Sequence, residues 1–247
     1  MAKILLDVDS QVLGKKTQIC LLTPEGDFGG EEPAVLYLLH GNGDNCTSWV
    51  RRSRIEEYVK GKNLLVILPQ VERSYYCDMA HGPRWFTYLT QEVEGICRRE
   101  VSFTHDRART FVAGLSMGGY GALKWALTQP QRFAAAASLS GTTDIVGRIA
   151  ALTPNRLPEF AAIFGEELQV PPASNLFTLA SQIPPAACPR LYLACGRDDK
   201  FIAFNRDFVR HLRELELPVR YDEAEGDHNW AFWDRWIQPA LDFFEHP

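Results

Sequence analysis

The sequence lacks the segments that export and membrane insertion require. No apolar run among its 247 residues approaches the roughly 18 residues of a membrane-spanning helix. The three apolar residues that follow Lys3 end at Asp7, which is too short a run for the core of a signal peptide. The six cysteines form no C-x-x-C pair. We therefore expect reduced thiols and a cytoplasmic protein.

The sequence also lacks the signals of nucleic-acid, nucleotide and metal binding. Its 26 basic and 31 acidic residues are mixed along the chain, without a basic patch or a basic amphipathic stretch. Neither G-x-G-x-x-G nor G-x-x-x-x-G-K-[ST] occurs, and neither does H-E-x-x-H or another cluster of metal ligands. We therefore expect a small-molecule substrate, and we expect no nucleic acid, membrane, cofactor or metal.

Apolar runs alternate with segments of helical spacing along most of the chain. At 46% hydrophobic, 247 residues fit a single α/β domain over residues 1–247. Strands are predicted at 2–8, 17–22, 34–39, 64–68, 111–113, 134–139, 191–195 and 219–221. The main helices are predicted at 87–99, 122–127, 202–215 and 230–244. This alternation predicts a mainly parallel central sheet with helices on both faces, and the first two strands form an antiparallel edge.

Residues 141–187 interrupt this alternation with six prolines and several short helical pieces. We interpret them as a cap-like excursion over the edge where the strands end. Ligands of open α/β sheets bind at that edge, so the excursion is expected to shape a substrate pocket. A structural wrap remote from the site is the alternative.

Residues 114–118 read Gly-Leu-Ser-Met-Gly between a predicted strand and a predicted helix. In that context G-x-S-x-G is typical of a nucleophile elbow, which exposes the serine hydroxyl. The flanking glycines carry no Cβ, so the strand and the helix can approach closely. The same letters also fit a Gly/Ser loop that only joins two elements. The prediction of Ser116 as a nucleophile therefore depends on its partners.

A catalytic serine needs a base and a carboxylate, which follow it in this order: serine, acid, histidine. Asp198 and Asp199 both follow the strand at 191–195. We favour Asp199, because it completes the Gly-x-x-Asp spacing usual for this turn, but either carboxylate could instead cap the next helix. His228 comes after the last predicted strand and before the last helix, and we predict that it is the base.

A second glycine-rich loop, Leu-His-Gly-Asn-Gly at 39–43, follows the strand at 34–39. The loop in this position supplies one N–H of the oxyanion hole, and the residue after the nucleophile supplies the other. We therefore predict that the backbone N–H groups of Asn42 and Met117 bind the oxyanion, which leaves the side chain at 42 free to vary. A turn that only leads the chain out of the sheet is the alternative.

Aromatic side chains are expected to line the substrate pocket. The segment 75–85 follows the strand at 64–68 and is rich in aromatics, so we predict that Tyr76 and Trp85 form one wall. Trp230, beside His228, is a further candidate. Packing of these side chains beneath a surface loop is the alternative.

The stretches 37–41, 114–123, 138–141 and 226–230 together resemble the esterase D family of α/β-hydrolases, especially its tributyrin-esterase-like group. S-formylglutathione hydrolases, feruloyl and acetylxylan esterases and mycolyltransferases share the run S-M-G-G-Y-G-A-L. The resemblance spans about residues 35–236 and implies an α/β-hydrolase fold. It also implies a serine carboxylesterase for short acyl chains, with Ser116, Asp199 and His228 as the catalytic triad.

The sequence departs from this family at two places. Asn42 replaces the hydrophobic residue that often follows His-Gly, a departure that bears on the polarity of the pocket. The residue after Asp199 is Lys200, which is more polar than the apolar residue usual at that place in the family. An S-formylglutathione thioesterase and a non-catalytic binding protein on the same fold stay open as alternatives. Aromatics near the C-terminus (Trp233, Trp236, Phe243 and Phe244) are compatible with a homo-oligomer, but we favour their placement on the inner face of the last helix.

Overall fold

The computed structural model of the protein describes residues 1–246, and residue 247 lies outside the described part. Eight strands form one sheet in the order β1-β2-β4-β3-β5-β6-β7-β8. Their bounds are β1 Ala2–Ser10, β2 Lys15–Thr23, β3 Ala34–Leu39, β4 Leu64–Pro69, β5 Thr110–Leu115, β6 Ala135–Leu139, β7 Arg190–Gly196 and β8 Val219–Ala224. Each strand overlaps a predicted one, which confirms the prediction of an α/β fold.

The sheet is parallel from β3 to β8, and β2 runs antiparallel to both of its neighbours. The side chains of β3 explain why its sequence is a continuous apolar run. Val35 and Tyr37 pack into the core on one face of the sheet, and Leu36 and Leu38 pack into the core on the other. A strand covered on both faces leaves no position for a polar side chain.

Helices cover both faces of the sheet. Their bounds are α1 Ser48–Arg52, α2 Ile55–Tyr58, α3 Trp85–Thr87, α4 Val93–Cys97, α5 Met117–Thr128, α6 Ile145–Ala150, α7 Leu157–Phe164, α8 Leu176–Gln182, α9 Ile202–Glu214 and α10 Trp230–Glu245. The core on one face includes α5 and α9, and the core on the other includes α1, α2 and α10. Within residues 1–246, no helix is both long and apolar enough to cross a bilayer.

The helix predicted at 87–99 is longer at its start and is irregular in its middle. A π-helical turn, Tyr88–Glu92, joins α3 to α4. Glu92 lies at the end of this turn, and its carboxylate accepts hydrogen bonds from the Ser10 hydroxyl and from the Gln11 N–H at 2.8 Å. The irregular turn thereby aims a carboxylate at the hairpin between β1 and β2.

The cap-like excursion contains α6, α7 and α8 between β6 and β7. Phe160 and Ile163 of α7 and Leu176 of α8 are buried in the same core as α5. The excursion is therefore packed on the sheet rather than suspended above it.

The start of α5 lies unusually close to the end of β3. A Cβ on Gly118 would lie 2.4 Å from the carbonyl oxygen of Leu39. That oxygen belongs to a strand hydrogen-bonded on both sides, so neither partner can move away cheaply. Glycine at 118 is therefore required by the close approach of two backbones.

We predict that Gly118→Ala lowers the free energy of unfolding by about 1–3 kcal/mol, because the methyl group overpacks this contact. Gly95→Ala is the matched control in α4, where an added Cβ meets nothing within 4 Å. That control should gain about 0.5–1 kcal/mol from helix propensity. Urea unfolding of both variants measures the difference, and equal stabilities would contradict the close approach.

Candidate active site

Ser116 sits at the turn between β5 and α5 in a strained backbone conformation. Its φ is 53° and its ψ is −116°, a region that non-glycine residues rarely adopt. The turn is held by the Ser116 N–H, which donates to the Leu139 carbonyl at 2.9 Å. A Cβ on Gly114 would lie 2.3 Å from the Gly118 oxygen, so the elbow tolerates no side chain there. The serine hydroxyl makes no capping hydrogen bond to the helix that follows it.

The structure brings Ser116, His228 and Asp199 together, although they are remote in the chain. His228 Nε2 lies 2.9 Å from Ser116 Oγ, and His228 Nδ1 lies 3.0 Å and 2.9 Å from the two carboxylate oxygens of Asp199. An ionised carboxylate can only accept hydrogen bonds, so the Nδ1–H donates to Asp199. Nε2 is then the free acceptor that faces the serine hydroxyl.

The environment of Asp199 keeps its carboxylate ionised. Burial by itself would raise the pKa of Asp199, which is 1% exposed. The hydrogen bond and charge of His228, together with the N–H of Phe201 at 2.8 Å, outweigh burial and lower that pKa. The carboxylate is therefore a fixed acceptor for the imidazole.

Asp198, the alternative acid, points elsewhere. It is exposed, and its backbone N–H donates to the Gly226 carbonyl at 3.1 Å. A Cβ on Gly196 would lie 2.2 Å from that same carbonyl. The backbone of Asp198 thus joins the loop after β7 to the loop that carries His228. The imidazole of His228 donates its Nδ1–H to Asp199 instead.

Two aromatic rings fix the orientation of the His228 imidazole. Phe201 and Trp233 each meet it edge-on with ring centroids 5.0 Å apart. The side chain of His228 is 13% exposed, so solvent reaches it only at one side. Sequence reasoning missed both rings, although each lies within five positions of a predicted triad residue.

The loop at 39–43 lies beside the serine, as predicted. A Cβ on Gly41 would lie 2.5 Å from Leu115 Cδ1, so the loop packs directly against the elbow. Within residues 1–246, no protein acceptor takes the backbone N–H of Asn42 or Met117. Both groups are therefore available to an oxygen of a ligand.

His40 supports this loop from beneath as a neutral imidazole. Burial lowers its pKa. Its Nδ1–H donates to the Gly41 carbonyl at 2.9 Å, and its Nε2 accepts the N–H of Val71 at 3.2 Å. Tyr76 donates its hydroxyl to the His40 carbonyl at 2.8 Å. The histidine of the His-Gly pair is thus a structural support.

The side chain of Asn42 also has a defined role, which contradicts the expectation that it is free to vary. Its amide nitrogen donates to the Glu159 carboxylate at 2.7 Å, and its amide oxygen accepts from Arg73 at 3.1 Å. Asn42 therefore links the loop beside Ser116 to α7 of the cap-like excursion.

The three predicted pocket aromatics do not line the cavity beside Ser116, so that expectation is wrong. Tyr76 is fully buried with its ring against Gly121 of α5. Trp85 packs edge-on against Tyr88. Trp230 packs between Trp49 and Trp233. Each ring supports the core behind the site, because its side chain faces inward from its loop or helix.

The cavity beside Ser116 has a volume of about 160 Å³ and a mainly polar lining. It is bounded by Gly41, Asn42, Asp44, Tyr75, Leu115, Ser116, Arg148, Arg156, Lys200, Phe201, His228 and Trp233. The arginines come from the excursion, which therefore shapes this cavity.

A larger cavity of about 610 Å³ lies at the opposite edge of the sheet and is lined by none of the three residues Ser116, Asp199 and His228.

Among residues 1–246, no group of three or more His, Cys, Asp or Glu side chains is arranged to hold a metal ion. The chemistry available at this edge of the sheet is that of a hydroxyl, an imidazole and a carboxylate. This set transfers acyl groups through the serine oxygen.

Comparison with known proteins relates the whole chain to serine hydrolases. A family model described as "Putative esterase" matches residues 10–244. An acetyl esterase of Caldicellulosiruptor saccharolyticus is 30% identical over 261 aligned positions that cover 98% of each chain.

Two solved structures from Staphylococcus aureus are also similar. FphF, described as a fluorophosphonate-binding serine hydrolase, is 30% identical with a TM-score of 0.92, over 100% of this chain and 99% of its own. The S-formylglutathione hydrolase FrmB is 29% identical with a TM-score of 0.86, over 98% of each chain. With a family model that spans nearly all of its length, the chain belongs to this esterase family of α/β-hydrolases.

Proposed function

We propose that the protein is a serine carboxylesterase that hydrolyses short-chain acyl esters through an acyl-enzyme intermediate. The observation that carries the proposal is the 2.9 Å contact between Ser116 Oγ and His228 Nε2, with Nδ1 of the same ring on the buried Asp199. A serine hydroxyl is a weak nucleophile, and this arrangement gives it a base in the correct tautomer.

Acylation begins when His228 Nε2 takes the hydroxyl proton while Ser116 Oγ attacks the ester carbonyl carbon. The charge that develops on the carbonyl oxygen is received by the N–H groups of Asn42 and Met117, and each such donor is worth about 10²–10³ in rate. The tetrahedral intermediate then collapses. The bond to the alcohol oxygen breaks, and the Nε2–H protonates the departing alcohol.

Deacylation repeats these steps with water. His228 takes a proton from a water molecule, whose oxygen attacks the acyl carbon, and the second tetrahedral intermediate releases the acid and restores Ser116. Throughout both halves, the ionised Asp199 stabilises the imidazolium that forms beside it. The small volume of the cavity supports short acyl groups, and so does the similarity to an acetyl esterase.

Thioester hydrolysis is the second candidate, supported by the similarity to S-formylglutathione hydrolase. The same three residues cleave both ester types, so the two functions differ only in the leaving-group pocket. Comparing kcat/KM for S-formylglutathione and for short-chain esters separates the two candidates.

We also propose that the protein works in a reducing compartment such as the cytoplasm. All six cysteines are free and buried. Burial raises the pKa of the thiols of Cys46, Cys97 and Cys188 to about 12, so these cysteines stay protonated and unreactive.

We predict that Ser116→Ala lowers kcat for 4-nitrophenyl acetate by about 10⁶-fold, the scale seen when a catalytic serine is removed. The same change should abolish covalent labelling by a fluorophosphonate. Ser181→Ala, an exposed serine of α8, is the control and should keep both activity and labelling. Labelling that persists in the Ser116 variant would show that another residue is the nucleophile.

The neighbouring aspartates provide a matched pair for the acid. We predict that Asp199→Asn lowers kcat by about 10⁴-fold, because an amide at this position favours the wrong imidazole tautomer. Asp198→Asn should stay within about twofold of the original enzyme, since surface changes away from such contacts have small effects. Steady-state kinetics on one ester measures both, and a reversed order would assign the acid to Asp198.

A further inference from the structure

The cavity beside Ser116 carries positive charge on a protein that is negative overall. The formal net charge of the chain is −5. The side chains that bound the cavity nevertheless include Arg148, Arg156 and Lys200, against one acid, Asp44. Asp44 is itself 3.6 Å from Arg52, a residue outside the cavity lining. Among the side chains that bound the cavity, positive charge therefore exceeds negative charge.

Arg148, in α6, is half-buried, whereas Lys200, which also has no carboxylate partner within residues 1–246, is exposed to solvent. In the described part of the chain, no carboxylate lies within 4.0 Å of the Arg148 guanidinium. Its Nε is buried and meets no protein acceptor. The guanidinium lies 5.8 Å from the centre of the Phe160 ring, which holds its position without neutralising it.

Arg156 is only partly compensated. Its NH2 group lies 2.9 Å from Glu159, but its Nε is also buried without a protein acceptor. Glu159 is shared, because it accepts from Asn42 at 2.7 Å and lies 3.6 Å from Arg73. One carboxylate thus contacts two guanidinium groups and an amide, and its single negative charge cannot neutralise both guanidinium groups.

A buried guanidinium Nε without a protein acceptor is costly, and a planar carboxylate is the group that matches the fork of N–H donors on a guanidinium. The cavity is small, so an anion that reached Arg148 would belong to the molecule whose ester lies on Ser116. We infer that this site selects esters that carry a carboxylate, and that Arg148 pairs with it while Arg156 supports the pair. This inference rests on the proposed esterase function and adds the charge of its substrate.

The carboxylate can belong to either half of the ester, and two matched substrate pairs distinguish these sources. For the alcohol half, 4-acetoxybenzoate is compared with the neutral 4-acetoxybenzamide. For the acyl half, monomethyl succinate is compared with methyl succinamate. Within each pair the shape is nearly constant and only the charge differs, so the ratio of the two kcat/KM values reports charge recognition.

We expect the original enzyme to prefer the carboxylate in one of the pairs by about tenfold to a hundredfold, the usual range for a hydrogen-bonded charge pair. Arg148→Gln should bring that ratio close to one, mainly through KM. Arg148→Lys should keep part of the preference, because it keeps the charge and loses the fork. Arg210→Gln is the control, an exposed arginine of α9 paired with Asp207, and should leave the ratio unchanged.

The preference of the original enzyme should also shrink as salt rises, since added ions screen the pair. This measurement needs no variant, so it tests the inference even where Arg148→Gln fails to fold. Ratios near one in both pairs, or a preference that survives Arg148→Gln, would overturn the carboxylate assignment while hydrolysis of the neutral esters still supported the esterase. Absence of hydrolysis for all four esters and for 4-nitrophenyl acetate would overturn the proposed function itself.

Discussion

The hydrogen bonds from His228 Nδ1 to the buried Asp199 carboxylate determine which nitrogen of the imidazole faces the serine. Asp199 can hold this position because its carboxylate stays ionised, with a lowered pKa despite its burial. The rest of the fold serves this contact. Parallel strands bring the loops after β5, β7 and β8 to one edge of the sheet, and the strained elbow aims Ser116 at the remaining nitrogen. The backbone of Ser116 is strained at φ 53°, which costs free energy. The turn keeps this conformation because the neighbouring strands hold both of its ends.

Much of this architecture is predictable from the sequence because strong local patterns specify it. Strands buried on both faces must be apolar throughout, so the run at β3 identifies a central strand. The glycines around Ser116 are required by close backbone approach, and such positions leave a clear signature. The order of serine, acid and histidine follows from the connectivity of the fold. The choice between Asp198 and Asp199 has weaker support in the sequence, because only the Gly-x-x-Asp spacing favours Asp199 and the directions of two neighbouring side chains depend on how the loop packs.

The walls of the cavity could not be predicted in the same way. The aromatic segment at 75–85 indicates buried side chains. However, aromatic residues that pack in the core and aromatic residues that line a substrate pocket look alike in a sequence. Tyr75 and Tyr76 illustrate this: both have positive φ, and the resulting bend sends Tyr75 to the cavity and Tyr76 beneath the loop at 39–43. The arginines come from an excursion without regular periodicity, and their position depends on how α6 and α7 pack on the sheet. Tertiary contacts thus decide which side chains bound the cavity, whereas local patterns identify the residues that meet at the elbow.

The tautomer of His228 in the free enzyme is the most direct test of this account. Nitrogen-15 NMR of the histidine-labelled protein, with His228 assigned by comparison with His228→Gln, distinguishes a protonated from an unprotonated ring nitrogen. The account predicts a proton on Nδ1, hydrogen-bonded to Asp199, and an unprotonated Nε2 when the imidazole is neutral. A proton on Nε2 with a bare Nδ1 would leave Ser116 without a base and would contradict the central claim.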